Sequence, residues 1–324
     1  LKTLVGKSPL VAFVKGHGER ECNDYGDRGY AAFAKNPTFR SALINQGYQV
    51  RELTLGESVP DNVDVLVLAD MKSAFTPEEQ ANYDAYVERG GNLIVLGEPK
   101  RQIFMNPVVE KLGLRFSDGI LVAPSKEYLD DIIAVNVMEG ALKASPYFMD
   151  MIRRGYTVIT PSACAVQVVD GNKGFEISEV LATSPWGSWL EYETTDFVNE
   201  TSQLNPEKGE IEQSNSVMLY LTRDIPDKPQ QRIFVLGDAD CLSTKELSTQ
   251  RAGLNGANFS MITEMFRSLS YGEYPIETAR VRPPDDNVNI PQDSMFWLQL
   301  FFIWLIPLSI LAWCIMFLIG RKRK

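Results

Sequence analysis

Residues 64–98 read DVLVLADMKSAFTPEEQANYDAYVERGGNLIVLGE, and this stretch decides the fold. Its two ends, Asp64–Asp70 and Asn92–Glu98, are continuous apolar runs without polar alternation, as in strands that are buried on both faces of a sheet. Between them, Thr76–Gly90 begins with a capping threonine, a proline and two glutamates and ends at glycine, which predicts a helix. A strand, a helix and a strand in this order predict a parallel βαβ unit.

The same alternation extends on both sides of this unit. Two further strands are predicted at Leu10–Gly16 and Tyr48–Leu55, with a helix at Ala31–Gln46 between them. After Glu98, a short helix at Pro107–Gly113 leads to a strand at Leu114–Phe116. This order predicts an α/β fold with a doubly wound, mostly parallel sheet.

The middle of the chain has a different pattern, in which polar loops separate short strand-like runs at Tyr156–Thr160, Cys164–Val169 and Glu179–Thr183. A buried strand at Arg232–Asp238 and an amphipathic helix at Asn258–Leu269 then restore the α/β pattern. We therefore predict an α/β core at residues 1–117, an inserted mixed α/β region at residues 118–216 and a returning β-α unit of the core at residues 217–281.

The C-terminal part contains an apolar run, Met295–Gly320, without a charged residue. As a helix with a rise of ~1.5 Å per residue, it is long enough to cross a hydrocarbon core of about 30 Å. A proline-rich polar tether at residues 282–294 precedes the run, and a basic tail at residues 321–324 follows it. Because basic residues stay on the cytoplasmic side, we predict one transmembrane helix at residues 295–320 in a bacterial inner membrane, with the bulk of the chain in the periplasm.

The charge balance limits the partners of the chain. The sequence has 32 basic and 42 acidic residues and a formal net charge of −10. The basic tail contributes to the positive side, so the part before the apolar run is more acidic still. Such a surface repels phosphate groups and shows no basic stripe, so nucleic-acid binding is not expected.

A set of polar side chains follows the predicted strands, at the point where the carboxyl ends of parallel strands meet in one crevice. In chain order they are His17, Glu19, Asp70, Glu98, Asp238 and Asp240. This acidic rim includes the only histidine of the chain. Two interpretations are open: the rim contacts a cation, a ligand or a partner, or its residues close turns and cap helices. No spacing fixes a metal geometry, so no metal site is predicted.

Signatures of catalysis are missing from the sequence. A nucleophile elbow needs Ser or Cys at the tight turn after a strand, but the turn after Leu96 reads Gly-Glu-Pro-Lys. The segment Gly16–Glu19 lacks the third glycine of a dinucleotide fingerprint, and no phosphate-binding loop occurs. We predict no catalytic residue and no cofactor. A reactive pair of Cys241 with His17 is the enzymatic alternative.

Two tryptophans and three cysteines complete the candidate residues. Trp186 and Trp189 lie in SPWGSWLEYE at residues 184–193, and form either an exposed aromatic platform for a ligand or a packed loop. Cys22, Cys164 and Cys241 are far apart in the sequence and lack metal-like spacing. We expect free thiols, while one disulfide stays an alternative in an oxidising compartment.

The order of several motifs resembles the GldG-like family, auxiliary subunits of ABC-2-type transporters that are associated with gliding motility. The motifs are a strand running into Gly16–Glu19, the strand of Val59–Asp70, the TPEEQ helix, YVERGGNLIVLGE at Tyr86–Glu98, TSPWGSW at Thr183–Trp189, RIFVLGDADCLS at Arg232–Ser243, GANF at Gly256–Phe259 and the terminal membrane helix. The resemblance implies an extracytoplasmic domain of the class I glutamine-amidotransferase-like, flavodoxin-like type. It also implies an ABC-2-type permease and a separate cytoplasmic ATPase as partners. The family provides no catalytic residue to transfer to this sequence.

Three functions follow as expectations. The first is a non-enzymatic extracytoplasmic subunit of an ABC-type transporter, which binds cargo or a periplasmic partner and couples that contact to the permease. The candidate contacts are His17, Glu19, Glu98, Asp238, Asp240, Trp186 and Trp189. The second is a membrane-anchored hydrolase or amidotransferase-like enzyme that uses His17, Cys241 and Glu19. The third is an anchored ligand or metal sensor.

Overall fold

The buried runs of the sequence form the strands of one large sheet in the computed structural model, which describes residues 7–169, 173–275 and 292–322. The chain divides into two compact units, Leu1–Glu277 and Thr278–Lys324. The strands of the first unit are β1 Leu10–Val14, β2 Gln49–Leu53, β3 Val65–Ala69, β4 Asn92–Leu96, β5 Leu114–Phe116, β6 Ile120–Val122, β7 Ile132–Val137, β8 Thr157–Pro161, β9 Val166–Val168, β10 Glu176–Ala182, β11 Trp189–Glu191, β12 Ser216–Arg223 and β13 Gln231–Leu236. Its helices are α1 Ala31–Ala34, α2 Pro77–Glu88, α3 Gln102–Val109, α4 Ala141–Ala144, α5 Phe148–Arg154, α6 Thr244–Ser248 and α7 Asn258–Leu269.

Nine of these strands form a sheet in the order β2-β1-β3-β4-β13-β12-β10-β7-β8 within the described residues. β2, β1, β3, β4 and β13 are parallel neighbours, whereas the remaining pairs are antiparallel. Only β12 and β7 therefore run against the other strands. This confirms the prediction of an α/β fold with a large, mostly parallel sheet, and β3, α2 and β4 form the predicted parallel βαβ unit.

Both faces of the parallel strands are buried, which explains their continuous apolar sequences. On one face, Phe13 and Phe234 pack in the same core cluster as Phe33 of α1 and Phe266 of α7. On the other face, the alternate strand residues pack with Tyr83 and Tyr86 of α2 and with Met105 and Val108 of α3, among others. Helices thus cover the sheet on both sides.

Two predicted helices differ in the structure. The helix expected at Ala31–Gln46 is reduced to α1 and a 3₁₀ turn at Leu43–Gln46. Pro37 explains this difference, because a proline disfavours the helical conformation of the preceding Asn36, and the Asn36 side chain instead accepts a hydrogen bond from the Thr38 backbone at 3.0 Å. The helix expected at Pro107–Gly113 begins earlier, at Gln102, so that Pro107 lies inside α3.

The middle of the chain extends the sheet on its antiparallel side. β7, β8 and β10 lie beyond β12, and β13 lies between β4 and β12. Two small antiparallel sheets, β6 with β11 and β5 with β9, lie outside the large one. The boundaries at residues 117 and 216 stay predictions, since contacts join residues on both sides of them into one unit.

The second unit is a helical segment formed by α8 Gln292–Gln299, a π-helical turn at Leu300–Leu305 and α9 Ile306–Lys322. Within it, Ser294–Arg321 is long and apolar enough to span a membrane. The predicted membrane-anchoring helix therefore has a counterpart in the structure. Most of the predicted tether, residues 282–291, and residues 323–324 of the basic tail lie outside the described residues.

Candidate functional site

The carboxyl ends of β1, β3, β4 and β13 lie side by side, because these strands are parallel neighbours in the sheet. The segments after Val14, Ala69, Leu96 and Leu236 therefore meet along one edge. Open α/β sheets bind their ligands at such an edge. The predicted acidic rim lies here, and its chemistry depends on what the carboxylates contact.

Arg20 is the centre of this edge, although it is absent from the predicted rim. Its side chain is almost completely buried and contacts three carboxylates. Nε donates to Asp70 Oδ2 at 2.9 Å, Nη2 donates to Glu98 Oε1 at 3.4 Å, and Nη1 lies 2.7 Å from Asp240 Oδ1. One guanidinium thus joins the segments that follow β1, β3, β4 and β13.

Three further cations surround Asp70, whose side chain is fully buried. Arg28 Nη2 donates to Asp70 Oδ2 at 3.0 Å, and Arg101 Nε donates to Asp70 Oδ1 at 3.3 Å. Lys72 Nζ lies 4.0 Å from Asp70 Oδ2. Asp70 also has a φ of 52°, in the left-handed region that non-glycine residues rarely adopt. The surrounding ion pairs hold this conformation in place.

These cations are absent from the predicted rim, which contains only acidic residues and histidine. A signal for Arg20 was present, since it directly follows the Gly16–Glu19 segment after the first strand. Arg28 has no such signal, because it reaches the edge from a loop that precedes α1. The rim is therefore a mixed network of cations and carboxylates rather than an acidic surface.

Two carboxyl groups of the network are protonated more readily than usual. Burial raises the pKa of Glu98 to about 8, and the negative charge of Asp240 adds to this effect while Arg20 opposes it. Burial also raises the pKa of Asp238 well above its usual range, with Glu98 as the next cause. Asp238 Oδ2 has no hydrogen-bond partner among the described residues. A neutral Asp238 carboxyl avoids the cost of a buried, unpaired charge.

The raised pKa of Glu98 gives a pH-dependent stability. The folded chain holds this proton between the usual carboxyl pKa and about 8, whereas the unfolded chain releases it. Folding then takes up a proton, so stability falls as the pH rises through this window. Glutamine cannot ionise, so we expect Glu98→Gln to be more stable than the native chain at alkaline pH. Its unfolding midpoint should also decline less steeply between about pH 5 and about pH 8.5. Thermal unfolding across this range checks the prediction, and parallel curves for the two proteins would contradict it.

His17 lies beside this network in a separate set of contacts. Its Nδ1 is 3.4 Å from Glu19 Oε1, and its Nε2 is 3.2 Å from Glu79 Oε2. The ring packs edge-on against Phe75, with centroids 5.0 Å apart. Glu79 also caps α2, because it accepts hydrogen bonds from the backbone and the hydroxyl of Thr76. The polar interactions of His17 thus support the loop after β1 and the start of α2.

Cys241 is poorly suited to nucleophilic catalysis. Its side chain is fully buried, and its thiol lies 3.4 Å from the Asp238 carbonyl oxygen. Burial raises the pKa of this thiol well above its usual value, and Asp238 raises it further. A reactive cysteine needs the opposite shift, because the thiolate is the nucleophile. The ring of His17 contacts Glu19, Glu79 and Phe75 in the described part of the chain.

The described residues also provide no obvious metal centre, since they contain no group of three or more His, Cys, Asp or Glu that could hold a metal ion. Cys22, Cys164, Cys241 and Cys314 are free thiols in the structure.

Two interpretations were open for the tryptophans, an exposed platform or a packed loop, and the structure shows one residue exposed and the other packed. Trp186 is 78% exposed, whereas Trp189 is 8% exposed. Trp189 lies in β11, packs with Ile120, Val122 and Phe197, and donates through Nε1 to Glu191 Oε2 at 3.3 Å. Only Trp186 is available for contact with another molecule.

The edge of the sheet at the carboxyl ends of the strands is filled by protein side chains. Buried side chains and ion pairs occupy the position where related architectures hold a ligand. Two cavities, of about 540 Å³ and 590 Å³, lie elsewhere and are lined by other residues. The network can hold four strand ends together, and its pKa values make that function sensitive to pH.

Comparison with solved structures shows the fold. The chain is similar to a structure named "mmIFT52 N-terminal domain", with a TM-score of 0.55, 14% sequence identity, and coverage of 82% of this chain and 98% of that chain. Lower similarity is found to a thuA-like protein from Parabacteroides merdae ATCC 43184, with a TM-score of 0.38, 11% identity, and coverage of 76% and 93%. An exo-beta-1,4-mannosidase from Opitutaceae bacterium strain TAV5 has a TM-score of 0.36, 9% identity, and coverage of 82% and 35%. At 14% identity, the likeness to the first of these structures extends to the fold alone.

The sequence was also compared with curated proteins and with models of protein families. No curated protein matches the chain. Residues 8–131, which contain β1 to β6, match the model of a family described as "ABC-type uncharacterized transport system". Residues 8–131 are therefore similar to an auxiliary component of ABC-type transport systems.

Proposed function

We propose that this chain is a non-enzymatic, extracytoplasmic auxiliary subunit of an ABC-type transporter. It binds a protein partner or cargo through its first unit and is anchored beside the permease by its apolar C-terminal helix. The observation that carries the proposal is the family match over residues 8–131. The helix of Ser294–Arg321, which is apolar enough to span a membrane, supports the anchoring.

The proposed orientation in the membrane and the proposed transporter partners rest on features of the sequence. The basic residues after Gly320 favour a cytoplasmic tail and a periplasmic first unit. The GldG-like resemblance implies a separate cytoplasmic ATPase as the source of transport energy. The GldG-like motif order favours an ABC-2-type permease as the membrane partner. Together these features describe a subunit that acts through contacts.

The structure of the sheet edge supports a function without catalysis. Arg20 and its carboxylates close the crevice, and the buried thiol of Cys241 is held in its protonated form. Glu19, Glu98 and Asp238 are buried, so they are unsuited to direct contact with a large partner. We therefore place the partner contact away from the predicted rim.

The partner surface that we propose is the acidic segment, residues 184–215, which surrounds β11. It contains seven acidic residues and one lysine. Three apolar side chains are largely exposed in it, Trp186, Val198 and Ile211. The turn of Trp186 is joined to the residues that follow Ile211, because the Gly187 backbone donates to Glu212 and the Gln213 backbone donates to Ser188 O. Exposed aromatic residues within a charged rim are typical of protein interfaces, and the charge favours a basic partner surface.

A photoreactive amino acid at position 186 is expected to form covalent adducts with a transport component or a transported protein in living cells. The physical reason is the 78% exposure of Trp186 within the acidic segment. Position 103 is a matched control, because Ile103 is 76% exposed but lies on α3. Mass spectrometry of the adducts measures the result. Adducts of the same identity and yield at both positions, or none at either, would remove the acidic segment from the proposal.

A further inference from the structure

A cavity of about 590 Å³ lies on the first unit, away from the sheet edge and from the acidic segment. Its lining includes the cations Lys143, Arg232 and Arg267 and one carboxylate, that of Glu273. A cationic cavity is unusual in a chain whose formal net charge is −10. These cations differ in whether a carboxylate is paired with them.

Two of the cations have carboxylate partners. Lys143 Nζ donates to Glu176 Oε1 at 2.5 Å, and Arg267 Nε donates to Glu264 Oε2 at 3.1 Å. Arg232 differs, because no carboxylate pairs with it in the described part of the chain. Its Nη1 donates to the Ser268 carbonyl oxygen at 2.5 Å, whereas its buried Nε has no acceptor there. A buried donor without an acceptor costs free energy.

The position of the Arg232 guanidinium is fixed by its surroundings. It lies over the Tyr271 ring, with Cζ 4.6 Å from the ring centroid. Tyr271 has a φ of 55°, a conformation that is rare for a bulky residue. Its hydroxyl donates to Gln230 O at 2.9 Å and accepts from Asn92 Nδ2 at 3.1 Å. Its backbone ends α7 in a Schellman cap, since Tyr271 N donates to Ser268 O at 2.9 Å and Gly272 N donates to Arg267 O at 2.8 Å. The cap therefore fixes the place of the ring beside the guanidinium.

A second cation–aromatic pair lines the same cavity. Arg267 Cζ lies 4.3 Å from the centroid of the Tyr147 ring. Two guanidinium groups, each stacked on a tyrosine, and one ammonium group therefore line one cavity. Arg is suited to bidentate binding of planar carboxylates and of phosphates. A phosphate presents three acceptor oxygens, which suits a cavity where the Arg232 guanidinium lies beside the paired cations Lys143 and Arg267.

From this arrangement we infer that the cavity binds a phosphate-bearing ligand, with the Arg232 guanidinium as its principal donor group and Lys143 and Arg267 as supporting charges. The phosphate belongs either to a small soluble molecule or to a phospholipid headgroup. The inference is independent of the proposed partner surface. It concerns a separate site with its own chemistry.

The test uses the full chain in two settings. In mild detergent, inorganic phosphate is added at constant ionic strength, and the thermal unfolding midpoint of the first unit is followed. In nanodiscs, phosphatidylcholine alone is compared with an equimolar mixture of phosphatidylcholine and phosphatidylglycerol. A ligand that binds only the folded state raises the midpoint with increasing concentration. We expect Arg232→Gln to weaken the binding at least about tenfold, as for the loss of charge-assisted hydrogen bonds.

Two further variants make the result specific. Arg89→Gln is the matched control, because Arg89 also stacks on a tyrosine, with Cζ 5.1 Å from the Tyr86 ring, but does not line the cavity. Arg232→Lys keeps the charge and loses the planar donor pair, so we expect it to fold and to bind with intermediate strength. If only dissolved phosphate raises the midpoint through Arg232, the ligand is soluble. If only the phosphatidylglycerol discs do, it is a headgroup. The inference is overturned if neither setting stabilises the native chain, or if Arg232→Gln responds as the native chain does.

Discussion

Replacing Arg20 with methionine is expected to destabilise the first unit by about 3–5 kcal/mol, which is the range for breaking a buried ion pair by removal of one partner. The guanidinium contacts Asp70, Glu98 and Asp240 from a buried position. Methionine fills a similar volume but leaves these carboxylates without their central cation. The loss is larger than for a surface pair, because water cannot replace the missing charge at a buried site.

Chemical or thermal unfolding of the chain in mild detergent measures this effect. The matched control is Lys208→Met, which removes a lysine whose Nζ lies 3.4 Å from Glu193 Oε1 with both side chains largely exposed. The control should leave the unfolding midpoint nearly unchanged, because exposed ion pairs contribute little to stability. Equal midpoints for Arg20→Met and Lys208→Met would show that the network does not hold the strand ends together.

Gly237→Ala is the second substitution with a large expected effect. Gly237 follows β13, and a Cβ atom there would lie 1.9 Å from the Cys164 carbonyl oxygen. The Gly237 backbone also donates to Val217 O at 2.9 Å and accepts from Cys164 N at 2.9 Å. The clashing atom and the hydrogen-bond partners all belong to the backbone, so rotation of a side chain cannot relieve the clash. We expect a destabilisation of about 3 kcal/mol, at the upper end of the usual cost of overpacking.

Gly56→Ala provides the control for this experiment. A Cβ at Gly56 meets nothing within 4 Å, and its backbone is outside the left-handed region. The same change of residue should therefore leave the midpoint of thermal unfolding unchanged or raise it slightly, since alanine restricts the unfolded chain. A Gly237→Ala variant as stable as Gly56→Ala would contradict the close packing of the segment around Cys164 against the end of β13.

The sheet was predictable from the sequence because its signal is local. Each buried parallel strand is a continuous apolar run, and Asn92–Leu96 shows this without any knowledge of its neighbours. The start of α2 was predictable for the same reason. Thr76 and Glu79 are three residues apart, and they form the capping box that this spacing favours. The apolar helix at the C-terminus was also evident from composition alone.

The candidate site was less predictable because it depends on contacts between distant residues. The partners of Arg20 are separated from it by 50 residues at Asp70 and by 78 residues at Glu98, and no local pattern indicates which charges meet. Trp189 shows the same limitation. Its burial depends on the pairing of β11 with β6, in which Trp189 lies opposite Val122. Trp186, three residues earlier, has no such partner strand and stays exposed.

The helix prediction at residues 31–46 was wrong because two local sequence signals favour different structures there. The apolar spacing of residues 31–46 favours a helix, whereas Pro37 interrupts it. The structure follows the proline, since only Ala31–Ala34 forms a helix before it. Pro107, in contrast, lies inside α3. It is the sixth residue of this helix, past the first turn, so its missing N–H removes one intrahelical hydrogen bond.

The most direct test of the central claim is to extract the full chain from its native membrane in mild detergent and to identify what co-purifies by mass spectrometry. The proposed function predicts a multi-span permease and an ATPase with a phosphate-binding loop, both in a fixed ratio to this chain. Purification of the chain without either component, under conditions that keep a control transporter of the same membrane intact, would contradict its function as a transporter subunit.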